Sequence, residues 1–308
     1  MPRPPATEER RFPIMGSHGH LVVVGGPGGL AERAEARLRE LEARWSRFLP
    51  SSELSRLNRA QGAPCLVSAD TVVLVDAMRL AWERTGGRFD ATVHDAMGAI
   101  GYGSSWPLPD APVRLPAPPA PAPGCAGIEA RPERGLVRLP RGVRLDPGGL
   151  GKGLAADLVA AELREWGADG ALVNVGGDLR VTGAPPDGDA AWRVAIEHPD
   201  RPEHDVAVVD LVDGGVATST SRRRRWTDAD GADVHHLVDP STGRSAARPW
   251  TQVSVVAGSA WWAEVLTKVV FLDGTLDDPT GAALVLHADD RTRVLGPDWF
   301  TLPEAVAS

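Results

Sequence analysis

At 308 residues the chain is long enough for one large domain or two small ones. Its apolar fraction of 43% and charged fraction of 24% are those of a globular protein with a sizeable core. A formal net charge of -8 excludes global attraction to nucleic acid or an anionic membrane, so any bound anion must be held by local groups. The start, "MPRPPATEERRFPIMG", lacks the apolar core of a secretory signal, no run reaches the length of a membrane span, and Cys65 and Cys125 form no metal or redox motif. The expectation is a reduced, cytoplasmic protein.

In chain order, "HLVVVG" at 20–25 reads as a strand turned by glycines. Leu30, Ala34, Leu38, Leu41, Trp45 and Phe48 then recur at three- and four-residue spacing, which predicts a helix over about 30–48. A second helix is predicted over 69–84, closed by Gly86 and Gly87. Residues 106–124 hold eight prolines and read as an extended surface loop, inserted rather than separating two domains. A strand near 136–145, a glycine-rich loop, a helix over 154–166 and a strand at 171–175 follow. The segments "AWRVAIEH", "VAVVDLVDGGVATS", "VHHLVDP" and "QVSVVAG" read as strands, and a helix at 259–272 and a strand near 283–287 finish the chain. Consecutive strands with helices packed on them predict an α+β fold with antiparallel or mixed sheets.

Only two of the 33 basic residues are lysines, Lys152 and Lys268. Lys152 stands in "DPGGLGKG", where a strand feeds a helix. Glycines permit close approach to a ligand, the helix N-terminus offers free N–H groups, and the ammonium adds a full charge, which together is phosphate-holding chemistry. The loop is not a Walker A sequence, because Asp146 stands where the first glycine belongs and Gly153 replaces Ser or Thr. A tight turn with a solvated lysine accounts for it equally well in isolation. Likewise "NVGGDLRVTG" reads as a hairpin turn, Phe89 in "GGRFDATV" as core, and "RRRR" at 222–225 as a solvated edge strand. In "VHHLVDPSTGR" the two adjacent histidines face opposite sides of a strand, so at most one of them works chemically.

Taken in order, "WSRFLPSSELSRLN", "GGRFDATV", "LDPGGLGKGLAAD", "LVNVGGDLRVTG", "VATS" and "HHLVDPSTGR" resemble the FAD:protein FMN transferase (ApbE-like) family over most of the chain. The resemblance implies a single T-fold-like domain over 1–308 with an insertion at about 105–124. It implies that FAD is bound and its FMN half joined through phosphate to a threonine or serine of an acceptor protein, with AMP leaving. Mg²⁺ usually assists, and some members hydrolyse FAD to FMN and AMP instead. Carried over by position, Met15, Phe48, Arg88, Phe89, Asp90, Asp146 and Lys152 match flavin- or adenine-contacting positions. So do Asn174, Gly176, Gly177 and Asp178 of the second glycine loop, with Thr218, Ser219 and Leu237. The carbonyl of Gly149 matches a metal contact, and His236 matches the histidine that would accept the acceptor's proton.

One segment departs from the pattern. The family's A-D-A-L-A-T, whose Asp and Thr bind Mg²⁺, is replaced by "AEVLTK", so Glu264 stands for the Asp, Lys268 for the Thr, and Thr267 is the neighbouring hydroxyl. Three readings stay open: an ordinary i,i+4 ion pair, an ammonium standing where Mg²⁺ would sit, or a chain that binds FAD without turning it over.

Overall fold

The computed structural model describes residues 6–104, 118–186, 188–227 and 231–303. In chain order the elements are β1 (Thr7–Ile14), β2 (Ser17–Val24), α1 (Leu30–Trp45), α2 (Glu53–Arg59), β3 (Cys65–Leu66), α3 (Ala69–Arg84), α4 (His94–Ala99), β4 (Glu129–Arg131) and β5 (Leu136–Arg138). Then come α5 (Gly151–Glu165), β6 (Gly170–Val175), β7 (Asp178–Gly183), β8 (Trp192–Glu197), β9 (Asp205–Leu211), β10 (Gly214–Thr220), β11 (Arg225–Thr227) and β12 (Asp233–His235). The chain ends with β13 (Val238–Asp239), β14 (Arg244–Ser245), β15 (Trp250–Ala257), α6 (Ala260–Asp273), β16 (Ala282–His287) and β17 (Thr292–Leu295). The expected α+β class is what the elements form.

Two compact units divide the chain. One takes residues up to Leu38, Gly153–Arg222 and everything from Pro249 on; the other takes Arg39–Lys152 and Arg223–Arg248.

The first unit is built on an eight-stranded sheet in the order β1-β2-β6-β7-β10-β15-β16-β17, antiparallel at every pairing. Helix α6 packs on β7, β10 and β15. The β8–β9 hairpin supplies Trp192, Val194, Ile196 and Val209 to a second apolar layer, with Val181, Val216, Val256, Leu284 and Phe300. Alternate burial along β8 is what a strand with one wet face requires. Met15 and Gly16, both at positive φ, close the β1–β2 hairpin, the backbone pattern of a type I′ turn.

In the second unit, α3 is capped by Ser68 and lies against the small sheet β3-β5-β4. A separate apolar cluster joins Met97, Ile100, Tyr102 and Val234, with Phe48, Trp226 and Val238 packed against it.

Several sequence expectations shift. The first helix stops at Trp45, leaving Phe48 in the following turn. The strand expected over 136–145 is only Leu136–Arg138, because Val143 N–H bonds back to Pro140 in a turn. "VHHLVDP" splits into β12 and β13, each in its own two-stranded sheet. Of the four arginines at 222–225, only Arg225 enters a strand. Strands β1, β3, β4, β14 and β17 and helices α2 and α4 were not anticipated. The second helix matches its expected bounds, 69–84. The proline-rich stretch lies outside the described residues as far as 117. From 118 to 124 it is irregular chain, tied by Ala122 N–H to the Pro240 carbonyl (2.8 Å) and by Gly124 N–H to Thr92 Oγ1 (3.0 Å).

Candidate active site

In the second unit the residues singled out by sequence meet around the turn before α5. Asp146 is buried. Its N–H bonds the Ala91 carbonyl at 2.7 Å, its Oδ1 accepts Gly148 N–H at 2.8 Å, and Arg47 Nε stands 3.0 Å from its Oδ2. The Arg47 guanidinium in turn lies over the rings of Phe48 (4.3 Å) and Tyr102 (4.9 Å) and donates to the Tyr102 carbonyl. Phe89, buried just past α3, presses its ring on Gly149, where a Cβ would fall 2.7 Å from the ring edge. A side chain at 149 would therefore push the Asp146–Leu150 turn off Phe89.

Asp90 is consumed locally. Its Oδ1 accepts the N–H and hydroxyl of Thr92 and contacts Cys125, and burial raises its pKa against those hydrogen bonds. Burial likewise pushes the Cys125 thiol up to about 12, so it is inert as a nucleophile. Arg88 is exposed beside them.

Helix α5 starts at Gly151, three residues earlier than expected, so Lys152 belongs to its first turn and not to the loop. That places an ammonium at the helix end whose dipole favours an anion, although the Gly151 N–H there already meets the Pro147 carbonyl (2.7 Å) and the Gly153 N–H the Glu264 carboxylate (2.8 Å).

The adjacent histidines differ. His235 donates from Nε2 to the Ala246 carbonyl (3.0 Å) and accepts Leu237 N–H at Nδ1 (3.2 Å), and burial lowers its pKa, so it is a neutral structural ring. His236 lies just past the end of β12, its own N–H bonded to the Arg224 carbonyl. Val234 and Val238, on either side of it in sequence, join the cluster that also holds Phe48. Leu237 is buried.

The first unit gathers the others. Asn174 Oδ1 accepts Gly177 N–H at 2.9 Å, bracing a hairpin in which Gly176 and Gly177 both have positive φ, and Asp178 is buried where β7 begins. On β10, Thr218 and Ser219 point to opposite faces. Thr218 bonds Ser254 (2.8 Å), and Ser219 bonds Thr267 (2.7 Å). Met15 sits in the β1–β2 turn.

Glu264 on α6 is fully buried. Its Oε2 accepts Gly153 N–H from the first turn of α5 at 2.8 Å, and its Oε1 lies 3.4 Å from Lys268 Nζ. Gly153 is needed here, because a Cβ would lie 2.5 Å from the Ala260 carbonyl oxygen. Thr267 donates its hydroxyl to the Glu264 carbonyl at 2.7 Å. The set does not fit Mg²⁺, which needs oxygen donors in near-octahedral array at about 2.0–2.1 Å. The Glu264 carboxylate is instead held by an N–H and an ammonium, and no cluster of three or more His, Cys, Asp or Glu able to hold a metal exists among the described residues.

The sequence profile of the ApbE family matches residues 15–288. The chain belongs to the ApbE family. It is 31% identical to a Salmonella typhimurium FAD:protein FMN transferase, over 83% of this chain and 75% of that one. It is 29% identical to the Vibrio cholerae protein of the same name, over 85% and 80%. Among solved structures, the ApbE protein of Thermotoga maritima superposes with a TM-score of 0.80 at 24% identity, covering 94% of this chain and 96% of that one. The flavin transferase ApbE of Vibrio cholerae gives 0.74 at 23%, over 94% and 97%, and at these identities the likeness speaks for the ApbE fold alone. No helix among the described residues is long and apolar enough to cross a membrane.

Sequence reasoning missed Arg47 and Tyr102. Arg47 lies in "WSRFLPSSELSRLN", next to Phe48. Its role depends on Asp146, 99 residues away in sequence, and no local pattern announces that pairing.

Proposed function

We propose that this protein is an FAD:protein FMN transferase, using Lys152 and the α5 N-terminus to hold phosphate and His236 to take the acceptor's proton. The observation that carries the reading is the ApbE family match across 15–288, which contains each of these residues. In the reaction, the hydroxyl oxygen of an acceptor threonine or serine forms a bond to the FMN phosphorus. The bond from that phosphorus to the bridging oxygen breaks, AMP leaves with the electron pair, and the hydroxyl proton passes to the His236 imidazole.

Phe48 in the second unit and Met15 in the first each keep part of an apolar side chain exposed for a flavin or adenine ring. Electrostatic stabilisation of the two phosphates is the larger part of the catalytic task, because charge is what the reaction moves.

The test is direct. Purified protein is incubated with FAD and a threonine-bearing acceptor domain, and the acceptor is followed as a fluorescent flavin band on a denaturing gel while AMP is measured. Wild type should label the acceptor and release one AMP per flavin attached. His236→Ala should lower labelling by about 10²-fold or more, the usual scale for a general base, with FAD affinity kept. AMP without labelled acceptor would instead mark an FAD pyrophosphatase, and unimpaired labelling by the variant would remove His236 from its role.

A further inference from the structure

We propose that the Lys268 ammonium supplies in cis the positive charge for which the family resemblance expects a divalent cation, so that this protein binds FAD and transfers FMN without a metal. The inference rests on the reading above for its substrate.

Glu264 is a carboxylate with no exposed surface. A buried charge of that kind is tolerated only when paired and hydrogen-bonded. Both its oxygens meet such groups, one the Gly153 N–H at the start of α5 and the other the ammonium one helical turn along α6. A divalent ion entering there would have to displace that ammonium and then face it as a like charge. Thr267 cannot stand in as the missing ligand, because its hydroxyl is buried and engaged with the Glu264 carbonyl and with Ser219.

Lys268 itself is placed differently from Glu264. About a fifth of its side chain is exposed, whereas none of that of Glu264 is. An ammonium with three donors, anchored on one side by a buried carboxylate and wet on another, can contact a phosphate oxygen while keeping its anchor. Elsewhere in this chain the cation is arginine, except at Lys152. A compact point charge rather than a planar fork is thus present at the one segment where the family pattern breaks.

The ammonium is not consumed in the reaction. The bond made is acceptor oxygen to FMN phosphorus, the bond broken is that phosphorus to the AMP oxygen, and the acceptor proton still goes to His236.

The experiment measures FAD binding by flavin fluorescence and free Mn²⁺ by electron paramagnetic resonance, on wild type, Lys268→Arg, Lys268→Thr and the double variant Glu264→Asp/Lys268→Thr. Thermal unfolding of each variant is recorded alongside. Wild type should bind FAD equally in EDTA and in Mg²⁺, label acceptor in both, and leave Mn²⁺ free when FAD is present. Lys268→Thr should lose at least tenfold in FAD affinity in EDTA, and the double variant should recover it with Mg²⁺ and sequester Mn²⁺. Lys268→Arg, which keeps the charge, should lose less than Lys268→Thr. Wild-type FAD binding or labelling that disappears in EDTA and returns with Mg²⁺ would overturn the inference and leave the transferase reading standing. Metal-independent FAD binding without labelling under any condition would uphold metal-free FAD binding but overturn the transfer, and with it the transferase reading. Failure to bind FAD under every condition would overturn both.

Discussion

Arg47 and Asp146 show how much of the candidate site rests on one buried pair. Their side chains are 6% and 7% exposed, and Arg47 also packs on Phe48 and Tyr102. Truncating one partner of such a pair leaves an uncompensated charge, which costs roughly 3–5 kcal/mol. Arg47→Ala should therefore lower unfolding stability by that order, read from urea denaturation. A loss under about 1 kcal/mol would mean that Asp146 finds water instead. The fluorescence of bound FAD should change in the same variant, since the turn carrying Gly148 and Gly149 is held by Asp146. At this scale the sequence was informative about residue types. Lys152, Asp146 and Phe48 stood out because glycines, a lone lysine and a family motif surround them. It was silent about partners, because an ion pair between residues far apart in sequence has no period or spacing to read.

Among the elements, α6 is the one whose placement bears most on chemistry, since it carries Glu264 and Lys268. Ser259 makes no side-chain cap for it. The cap comes from α5, where Asp157 accepts Ala260 N–H (2.9 Å) and Trp261 N–H (2.8 Å). Burial raises the Asp157 pKa from 3.8 to about 6, opposed by those two N–H groups and by Arg180 and reinforced by Asp213. The folded protein therefore holds this proton more tightly than the unfolded chain does. The group's favourable contribution is complete below pH 3.8 and is lost as pH rises through about 6. Loss of a helix cap costs about 1–2 kcal/mol, so Asp157→Ala should be less stable than wild type. The gap should narrow between about pH 4 and pH 7, as urea midpoints at a series of pH values would show. A gap that widens over that range would reject the assignment. The missed elements have physical reasons too. Half of strand β1 is charged and it pairs on one side only, as the edge of its sheet, so it shows little apolar alternation. Helix α2 has seven residues, too few for a period to register, although Ser52 marks its start by accepting Ser55 N–H.

For the molecule as a whole, the large sheet is the frame of the first unit, with α6 packed on one side and the β8–β9 hairpin in a second apolar layer. Phe300 completes that second layer from near the end of the described chain, where Val208 and Thr301 exchange backbone hydrogen bonds at 2.8 Å each. Phe300→Ala should cost about 3–5 kcal/mol through the cavity it leaves, measured as a shifted denaturation midpoint. An unshifted midpoint would mean that this segment contributes nothing to the core. The α+β class, the position of most strands and helix α3 were legible, because period-2 and period-3.6 burial are imposed locally by backbone geometry. The family was legible as well, because its glycine loops and H-x-x-D-P turn are short motifs with fixed spacing. Only the tertiary structure decided that each unit is assembled from separated chain segments, and that His235 serves the backbone. It alone showed Lys152 inside a helix, and a buried Glu264 already answered by Gly153 and Lys268. Motifs are local and survive in one dimension, whereas burial and charge pairing depend on which distant groups the fold brings within about 3 Å of each other.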